Sequence, residues 1–400
     1  MTYSLSADVP ALDIDPFAEE FQHDPEPFCE RLRDAGPVVF LDRYRVWGVA
    51  RFDQVHAVIR EHEAFCSSGG IGLTNFHKEK PWRTPSLLLE ADPPEHTTVR
   101  RVTARVMSPR AIGRLRPEFE RRAEELVSAV VARGEFDGVT DLAQAYPLRV
   151  FPDAVGVTAD GREHLLQYGD MVFNSFGPPN KLFHDALAAG AAVRDWIAEQ
   201  CRRESLAPGG LGAQLYAAAD RGEISEEEAG LLVRSLLSAG VDTTVHSIAW
   251  ALHLLATHPA QWAALRDDPT LIRPAFEESL RLAAPVQLFF RTTTRDVRIA
   301  DAEIPAGEKL LCFLGAANRD PREWDDPGRF DIRRRAVNHL GFGSGLHACV
   351  GAAIARLEAE ILLTALARHA AALEPAGPPR LRPNNSLRAF AALPLRVSAA

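Results

Sequence analysis

Hydrophobic residues recur with a helical period over the middle of the chain, from Glu95 to about Leu271. Turns such as "LAPGGLG" divide this stretch into a series of predicted helices. The longest begins where Ser225 and Glu228 form a capping box and runs to Thr257, about 32 residues or roughly 48 Å at the α-helical rise. Its middle, "SAGVDTT", is small and polar where a packed helix would be bulky. We therefore expect something large to lie against it.

Strand-like patterns are confined to the two ends of the chain. "PVVFLDR" and "RVWGVARF" near the N-terminus, and "RDVRIADAEIPAGEKLLCFLG" after Pro285, have the composition and turn residues of short strands. A last predicted helix, about residues 352–369, precedes a β-like tail, "NSLRAFAALPLRVS". No repeat, low-complexity segment or linker divides the sequence. We expect one mainly helical domain over residues 1–400, with a minor β-sheet region.

Composition limits the class of protein further. A chain of 400 residues with 46% hydrophobic residues can bury a large core. The formal net charge of -9 gives no basis for nucleic-acid binding. The five cysteines lie apart without CxxC pairs, which argues against a disulfide framework or a zinc site. No signal-peptide pattern and no run of the ~20 apolar residues that cross a bilayer is visible. We expect a cytoplasmic protein without membrane contact.

One short turn, "GFGSGLHACVG", combines glycines, a histidine and a cysteine before the last predicted helix. Gly343 to Ala348 formally match the G-x-G-x-x-G/A dinucleotide fingerprint, but the βαβ unit that this motif requires is not evident around it. A plainer interpretation makes Cys349 a small buried hydrophobic residue, as most lone cysteines are. Both interpretations have to be weighed against the rest of the motif.

Phe342, Gly345, His347, Cys349 and Gly351 form the pattern F-x-x-G-x-H-x-C-x-G. It closely resembles the haem-ligand signature of the cytochrome P450 family. The resemblance implies the P450 fold, a haem b held by the Cys349 thiolate, and O2 as co-substrate. Glycines would let the backbone approach a flat macrocycle, and the amides of a helix start can hydrogen-bond a thiolate. A thiolate ligand favours cleavage of the O–O bond.

Other parts of the family pattern follow. Glu278 and Arg281 in "EESLR" resemble the pair that, in the family, joins an arginine of a later loop, here Arg329 in "DDPGRF", in a buried structural clasp. Groups expected to pair with the haem propionates lie elsewhere along the chain: His96, Arg100, Arg291 and His347. Charge-assisted bonds from such side chains suit a buried dianion. The alternative is that His96 and Arg100 simply face solvent on a helix.

The middle of the long predicted helix resembles the acid–alcohol motif of the family. Ala239, Gly240, Asp242 and Thr243 match A/G-G-x-D/E-T. The two small residues would let haem and dioxygen approach the helix. Thr243 would hydrogen-bond the oxygen substrate and Asp242 would relay protons from solvent. A threonine in a helix also often only bonds the carbonyl of the preceding turn, and that interpretation stays open.

The resemblance extends over essentially the whole chain to bacterial P450s that oxidise para-substituted benzoic acids, notably by demethylating para-methoxybenzoate. It is carried by segments such as "EKPWRTPSLLLEADPPEH" and "FNSFGPPN". The positions that match the carboxylate anchor of that subfamily are Arg83, Ser86, Arg234 and Ser235. The matching apolar wall comprises Leu89, Phe173, Phe176, Val286 and Phe289, with Ser238 and Ala239 on the haem side. Leu288 and Val241 depart from the expected pattern, which could shift the para substituents accepted.

The resemblance also implies electron delivery by a small iron–sulfur ferredoxin with its reductase, since no redox module is encoded in the chain. Four arginines could make the docking face near Cys349 basic: Arg333, Arg334, Arg335 and Arg356. A plain solvated charge run is the alternative for the triplet. Two other functions stay open, the same chemistry on another aromatic or apolar acid, and a haem-binding sensor or carrier without turnover. Asp242 and Thr243 argue against the carrier, which needs no proton relay.

Overall fold

Helices make up more than half of the described chain, residues 9–400 of a computed structural model. Within that range they are α1 (Glu19–His23), α2 (Glu26–Ala35), α3 (Phe52–Arg60), α4 (Glu95–Val106), α5 (Pro109–Gly113), α6 (Arg116–Arg133), α7 (Ala145–Val155), α8 (His164–Asn174), α9 (Lys181–Gln200), α10 (Leu211–Asp220), α11 (Glu226–Ala239), α12 (Asp242–Thr257), α13 (Pro259–Asp267), α14 (Ile272–Ala283), α15 (Leu314–Ala317) and α16 (Ala352–His369). Residues 1–8 lie outside the described residues. The N-terminal segment in which no signal-peptide pattern is visible begins there.

The strands are short and mostly near the two ends of the sequence. They are β1 (Ala11–Leu12), β2 (Val39–Leu41), β3 (Val46–Val49), β4 (Phe65–Cys66), β5 (Glu135–Asp137), β6 (Leu288–Thr293), β7 (Val297–Ile299), β8 (Ala302–Ile304), β9 (Lys309–Phe313), β10 (Ala370–Pro375), β11 (Arg380–Arg382), β12 (Ala389–Ala392) and β13 (Pro394–Ala399). The mainly helical fold with a minor β region is confirmed. That residues 1–400 act as one domain remains a prediction.

The largest sheet joins the two ends of the sequence. Its strand order is β1-β2-β3-β9-β6-β4, with β3 parallel to β9 and β6 antiparallel to β9. The sequence pattern suggests a sheet from the strand-like segments after Pro285, and the structure adds the N-terminal strands to it. Because β6 is an inner strand of this sheet, the side chain of Arg291 is held on a rigid, buried element.

The long helix predicted from Ser225 to Thr257 is wrong as a single element. The structure contains α11, which begins at the predicted capping box of Ser225 and Glu228, and α12, with Gly240 and Val241 between them. Nearly every residue of α12 is buried, as expected for a helix packed on all sides. The break lies within the predicted "SAGVDTT" stretch and therefore in the region expected to face a large partner.

The last predicted helix corresponds to α16, which has the expected bounds of residues 352–369. It packs against α6 and α14, which fixes the start of the helix that follows the cysteine loop. Between residues 9 and 400, the structure contains no helix that is both long and apolar enough to cross a membrane.

Candidate active site

The signature cysteine lies in a tight loop directly before α16. Gly343 and Gly345 have φ angles of 64° and 70°, a left-handed conformation that residues with a Cβ disfavour. The N–H of Cys349 donates to the carbonyl of Phe342 at 2.8 Å and closes the loop. A Cβ on Gly345 would also lie 3.1 Å from the backbone of Arg60. The glycines of the motif therefore permit a loop that other residues would strain.

The groups around the Cys349 sulfur offset part of the effect of burial on its ionisation. Burial raises the pKa of the thiol. The N–H groups of Gly351 and Ala352, together with the positive charges of Arg100 and Arg356, act in the opposite direction because they stabilise a thiolate. This arrangement of donors at a helix start suits a sulfur that binds a metal as thiolate.

Cys349 also differs from the other cysteines in what its side chain faces. Cys29, Cys66 and Cys312 are buried in the packed interior, whereas the side chain of Cys349 has an exposed face although the sulfur lies deep in the molecule. The sulfur thus lies at the wall of an internal cleft. This position argues against the interpretation of Cys349 as a small core residue.

Two buried histidines lie next to this cleft with ring nitrogens that lack partners. His96 is 0% exposed, and neither ring nitrogen has a hydrogen-bond partner within residues 9–400. Burial, with the nearby charges of His347 and Arg100, lowers the pKa of His96 to about 4. The ring of His347 lies 4.4 Å from that of His96; its Nδ1 donates to the carbonyl of Leu88 at 3.1 Å, and its Nε2 has no hydrogen-bond partner. The His96 ring has an N–H free to donate toward an anion, whereas His347, whose Nδ1–H is bound to Leu88, can do so through Nε2 only as an imidazolium.

Two arginines near the same place have no carboxylate partner in the described part of the chain. Arg291 is 3% exposed, and its Nη1 donates to the carbonyl of Phe290 at 3.0 Å. Arg100 is half-buried, and burial lowers its pKa while the Cys349 thiol opposes that effect. Burying a guanidinium without a counter-ion is costly. These cations and the unpartnered histidines therefore fit the two carboxylates of a haem, with Cys349 as the axial ligand.

Asp92, which the sequence analysis missed, helps to hold this cluster. Burial opposes ionisation of Asp92, but the nearby His347 ring and the hydrogen bonds from the N–H groups of Ser67 and Ser68 outweigh it and lower the pKa. The distance from its Oδ1 to the His347 Nε2 is 3.7 Å. No motif would have found it, because its partners come from distant positions in the sequence.

The acid–alcohol pair lies at the break between α11 and α12. The Thr243 hydroxyl donates to the Ala239 carbonyl at 2.8 Å. In this structure the threonine thus bonds the carbonyl of the preceding turn, as the alternative interpretation stated. Asp242 is 2% exposed and its Oδ2 has no hydrogen-bond partner within the described chain. Burial raises the pKa of Asp242 to about 7. A buried carboxyl that titrates near neutrality can take up and release protons.

The four residues proposed to anchor a carboxylate are brought together by the loop before α4 and by α11. The hydroxyls of Ser86 and Ser235 lie 3.1 Å apart. Arg234 donates to the carbonyls of Thr84 and Pro85 at 2.9 and 3.2 Å, and has no carboxylate partner among the described residues. The two hydroxyls thus meet where the sequence analysis expected an anionic group to bind, and Arg234 is bound to the backbone just before Ser86.

Arg83 behaves differently from the other three. Its guanidinium forms a two-bond ion pair with the buried Glu90, at 2.9 and 3.2 Å. Glu90 also accepts the N–H of Ser86 at 2.8 Å. The charge of Arg83 is therefore already compensated, and Glu90 holds the shape of the loop. Sequence reasoning missed Glu90, since an Arg and a Glu seven residues apart carry no recognised signal.

A cavity of about 530 Å³ adjoins the anchor on the side of α8 to α11. Arg83 and Arg234 line it, together with the aromatic side chains of Trp82, Tyr168 and Tyr216. Ser86 and Ser235 are not in its lining. The two arginines thus face this outer cavity, whereas the paired serines do not.

The predicted apolar wall is only partly in the packed core. Phe173 and Phe176 are 6% and 4% exposed and meet edge to face at 5.6 Å. The others, Leu89, Val286 and Phe289, are half-buried, and Phe289 lies under the guanidinium of Arg291 at 4.7 Å.

The remaining predicted positions lie along the helix break and in the core. Ser238 and Ala239 are half-buried at the end of α11. The two departures from the family pattern, Leu288 and Val241, are each 1% exposed and belong to core clusters. They therefore face packed core.

The structure corrects the third member of the predicted clasp. Glu278 and Arg281 are fully buried and paired at 2.7 Å, as expected. The arginine side chain that joins them is Arg334, whose Nε lies 3.0 Å from Glu278 Oε1. Arg329 contributes only its carbonyl, which accepts a bond from Arg281 at 3.3 Å. The side chain of Arg329 is exposed, whereas that of Arg334 turns toward the buried Glu278.

The same finding reduces the predicted basic docking face. Arg334 is committed to the clasp, and Arg356 forms a two-bond ion pair with Glu277, at 2.6 and 2.9 Å, over the ring of Phe342. Arg333 and Arg335 remain exposed on that face.

Comparisons with known proteins agree with this geometry. A family model described as Cytochrome P450 matches residues 165–396. The chain is 56% identical over 395 residues to Cytochrome p450 CYP199A2 of Rhodopseudomonas palustris, covering 98% of this chain and 96% of that protein. The structure of Cytochrome P450 CYP109Q5 from Chondromyces apiculatus matches with a TM-score of 0.82 and 31% identity, over 97% of this chain and 99% of the other. Cytochrome P450 CREJ in complex with (4-ethylphenyl) dihydrogen phosphate matches with a TM-score of 0.87 and 27% identity, over 96% and 99%.

Proposed function

This chain belongs to the cytochrome P450 family, and from that premise we propose that it oxidises para-substituted benzoic acids. It is a monooxygenase with haem as cofactor, a cysteine thiolate as axial ligand and O2 as co-substrate. When bound, the haem supplies dioxygen activation and the insertion of one oxygen atom. We assign the axial ligand to Cys349, and we assign the haem propionates to His96, Arg100, Arg291 and His347.

The observation that carries the substrate proposal is the pairing of the Ser86 and Ser235 hydroxyls, with Arg234 bound to the backbone carbonyls of Thr84 and Pro85 beside them. A carboxylate loses its water when it enters an apolar cleft, and this is costly unless donors replace that water. Hydroxyl and guanidinium donors can do so, each charge-assisted bond contributing roughly 1.5–3 kcal/mol. Arg83, whose charge Glu90 compensates, positions this loop. The anchor therefore selects for an acid.

The position of the anchor along the helix accounts for selectivity at the para position. Ser235 in α11 and Thr243 in α12 are eight residues apart across the break, and because Gly240 and Val241 keep right-handed helical dihedrals the separation is still on the order of 12 Å at 1.5 Å per residue. A single aromatic ring with a short para substituent suits this span. Because the carboxylate is held at one end, the para group reaches the reacting end, whereas meta and ortho groups point elsewhere. A para-methoxy group hydroxylated there would lose formaldehyde.

The chain's own residues also provide the proton for this reaction. Asp242 is a buried carboxyl that exchanges protons near neutral pH, and the hydroxyl of the neighbouring Thr243 offers lone pairs while it donates to Ala239. We infer that Asp242 delivers protons and that Thr243 directs them. Electrons would come from a small acidic ferredoxin with its reductase in the cytoplasm, docking where Arg333 and Arg335 are exposed.

The structural relative that binds (4-ethylphenyl) dihydrogen phosphate supports the general scheme, because that ligand is a para-substituted ring with an anionic group opposite the substituent. It also supports a second candidate function, the same oxidation of an aromatic acid other than a para-substituted benzoic acid. The lining arginines of the outer cavity favour an anion in either case.

The experiment compares para-methoxybenzoate with its methyl ester by optical titration of the haem spectrum. The acid should displace the water ligand and be demethylated with release of formaldehyde, and the ester should bind far more weakly. Ser86→Ala, Ser235→Ala and Arg83→Ala should each weaken acid binding about ten-fold or more, at ~1.4 kcal/mol per decade. They should also narrow the difference between acid and ester.

Ser279→Ala is the matched control, because Ser279 is a buried helical serine that bonds the carbonyl four residues earlier, as Ser235 does. It should leave the acid–ester difference unchanged. Equal binding of acid and ester by the unmodified protein would overturn the anchor and favour a neutral apolar pocket.

A further inference from the structure

Two titratable side chains of α12, Asp242 and His246, are buried one helical turn apart. They are 2% and 1% exposed. The Oδ2 atom of Asp242 and the Nδ1 atom of His246 have no hydrogen-bond partner within the described chain. Residues four positions apart lie on the same helix face, so both side chains face the same neighbouring elements. Buried polar atoms without partners cost stability, and a pair of them on one face suggests a function.

The neighbouring elements are α8 and β11. A Cβ on Gly169 of α8 would lie 2.1 Å from Asp242 Oδ2, so the carboxyl lies directly against the α8 backbone. The next residue, Asp170, pairs with Arg382 of β11 at 3.4 Å between Oδ1 and Nη2. The same Nη2 lies 3.3 Å from His246 Nε2. Arg382 therefore joins a carboxylate at the surface to an imidazole in the core.

This group extends from solvent to the interior. The side chains of Asp170 and Arg382 are 27% and 34% exposed, while His246 and Asp242 are buried. A guanidinium can only donate, so His246 Nε2 accepts and the ring proton resides on Nδ1. Burial and the charge of Arg382 lower the pKa of His246 to about 3, which keeps the imidazole neutral.

The charged side chains that shift the pKa of Asp242 belong to the same two elements, α8 and β11. Burial raises its pKa to about 7; Arg382 from β11 opposes this rise and Asp170 from α8 adds to it. Below that pH the carboxyl is protonated, and above it the carboxyl is ionised. His246 on its own helix is neutral and adds no charge.

We propose that Arg382, held by Asp170 and His246, is a positioning residue that keeps the Asp242 carboxyl free to exchange protons. The inference rests on the proposed role of Asp242 in proton delivery. Bound to Asp170 and His246, the guanidinium does not close an ion pair with Asp242. Such an ion pair would hold Asp242 ionised and leave it without a proton to deliver. His246 acts by accepting the inner N–H of Arg382, and Asp170 by compensating its charge at the surface.

The proposal predicts that replacing the two partners of the Asp170–Arg382 ion pair shifts the pKa of Asp242 in opposite directions. Arg382→Gln removes a positive charge near Asp242 and should raise the pKa of Asp242 by about one unit. Asp170→Asn removes a repelling charge and releases Arg382 toward Asp242, so it should lower that pKa by about one unit or more. His246→Leu should also lower it, whereas His246→Gln keeps an acceptor for Arg382 and should stay close to the unmodified protein. A purely structural role would not produce opposite shifts.

The test is an infrared pH titration of the resting, haem-loaded protein. The carbonyl band of the protonated Asp242 carboxyl is identified as the band that Asp242→Asn removes, and its midpoint is then measured in each variant. Asp220→Asn, at an exposed ion pair with Arg203, is the matched control. The proposal is overturned if the midpoint shifts in the same direction in Arg382→Gln and Asp170→Asn. It is also overturned if these shifts are no larger than the shift in Asp220→Asn.

The pH dependence of product formed per electron should move in the same direction as the infrared midpoint in each variant. A profile that stays in place while the band moves would overturn the catalytic part of the proposal. The infrared titration requires no substrate. If no benzoic acid is oxidised, the proposed function is wrong. The infrared midpoint of the Asp242 carboxyl still tests the role of Arg382.

Discussion

Cys312 and Cys349 are the same residue type in different surroundings, and their chemistry differs accordingly. Burial in β9 raises the pKa of the Cys312 thiol to about 12, which leaves it a small apolar side chain. At Cys349 the amides of the helix start and two arginines oppose the effect of burial. The signature allowed Cys349 to be singled out from the sequence, because its glycines and histidine are adjacent in the chain. The groups that favour a thiolate at Cys349 include the charge of Arg100, which is distant in sequence.

Thr243 offers a test at the residue scale, since its hydroxyl donates to the Ala239 carbonyl. Thr243→Ala should still bind substrate and accept electrons, but should divert a large share of the flux to hydrogen peroxide because protons are misdirected. The measurement is product and peroxide formed per electron consumed. Thr257→Ala is the control, because Thr257 makes the same bond to the carbonyl four residues earlier in α12. Unchanged product per electron in Thr243→Ala would contradict the role of Thr243.

The break between α11 and α12 shows how an element is decided by its neighbours. Sequence periodicity and the capping box at Ser225 predict the start of α11 and the end of α12, and both are observed. At the break, packing requires a glycine at position 240, because a Cβ would lie 2.2 Å from the ring of Phe151 in α7. The helix is thus interrupted at a position where another helix packs closely against it.

This close packing reverses the usual effect of replacing glycine in a helix. Gly240→Ala should lower the free energy of unfolding by about 1–3 kcal/mol, because the methyl group overlaps the buried Phe151 ring. Gly113→Ala should leave it unchanged or raise it by up to about 1 kcal/mol, since nothing lies within 4 Å of a Cβ there. Thermal and denaturant unfolding measure both. Equal stability of the two variants would show that the ring of Phe151 moves aside at little cost.

At the scale of the whole molecule, the buried clasp joins α14 to the long connection that precedes the cysteine loop. Glu278 accepts from Arg281 and Arg334, and Arg281 also donates to carbonyls of that connection, including Asn318 and Pro327. A family pattern identifies the Glu and the first Arg because they lie on one helix. The second Arg is decided by which side chain of the connection turns inward, and this depends on the path of the backbone.

The clasp gives a prediction with its own control in neighbouring arginines. Arg334→Ala should lower the free energy of unfolding by about 1.5–3 kcal/mol, because Glu278 loses a charge-assisted bond in a buried position. Haem retention should fall with it. Arg329→Ala should change stability by less than about 0.5 kcal/mol, since its side chain is exposed and only its carbonyl takes part. The reverse order of the two variants would restore Arg329 as the partner.

The sequence by itself determined the mainly helical fold, the bounds of α16, the cysteine motif and the acid–alcohol pair. Each of these depends on residues that are neighbours along the chain, so period, caps and motif spacing carry the information. Tertiary structure decided the break at Gly240, the pairing of Arg83 with Glu90, the choice of Arg334 and the group of Asp170, Arg382 and His246 around Asp242. Their partners are 7 to 212 residues apart. Whether two such charges meet depends on the packing of separate elements, and no local pattern in the sequence records that packing.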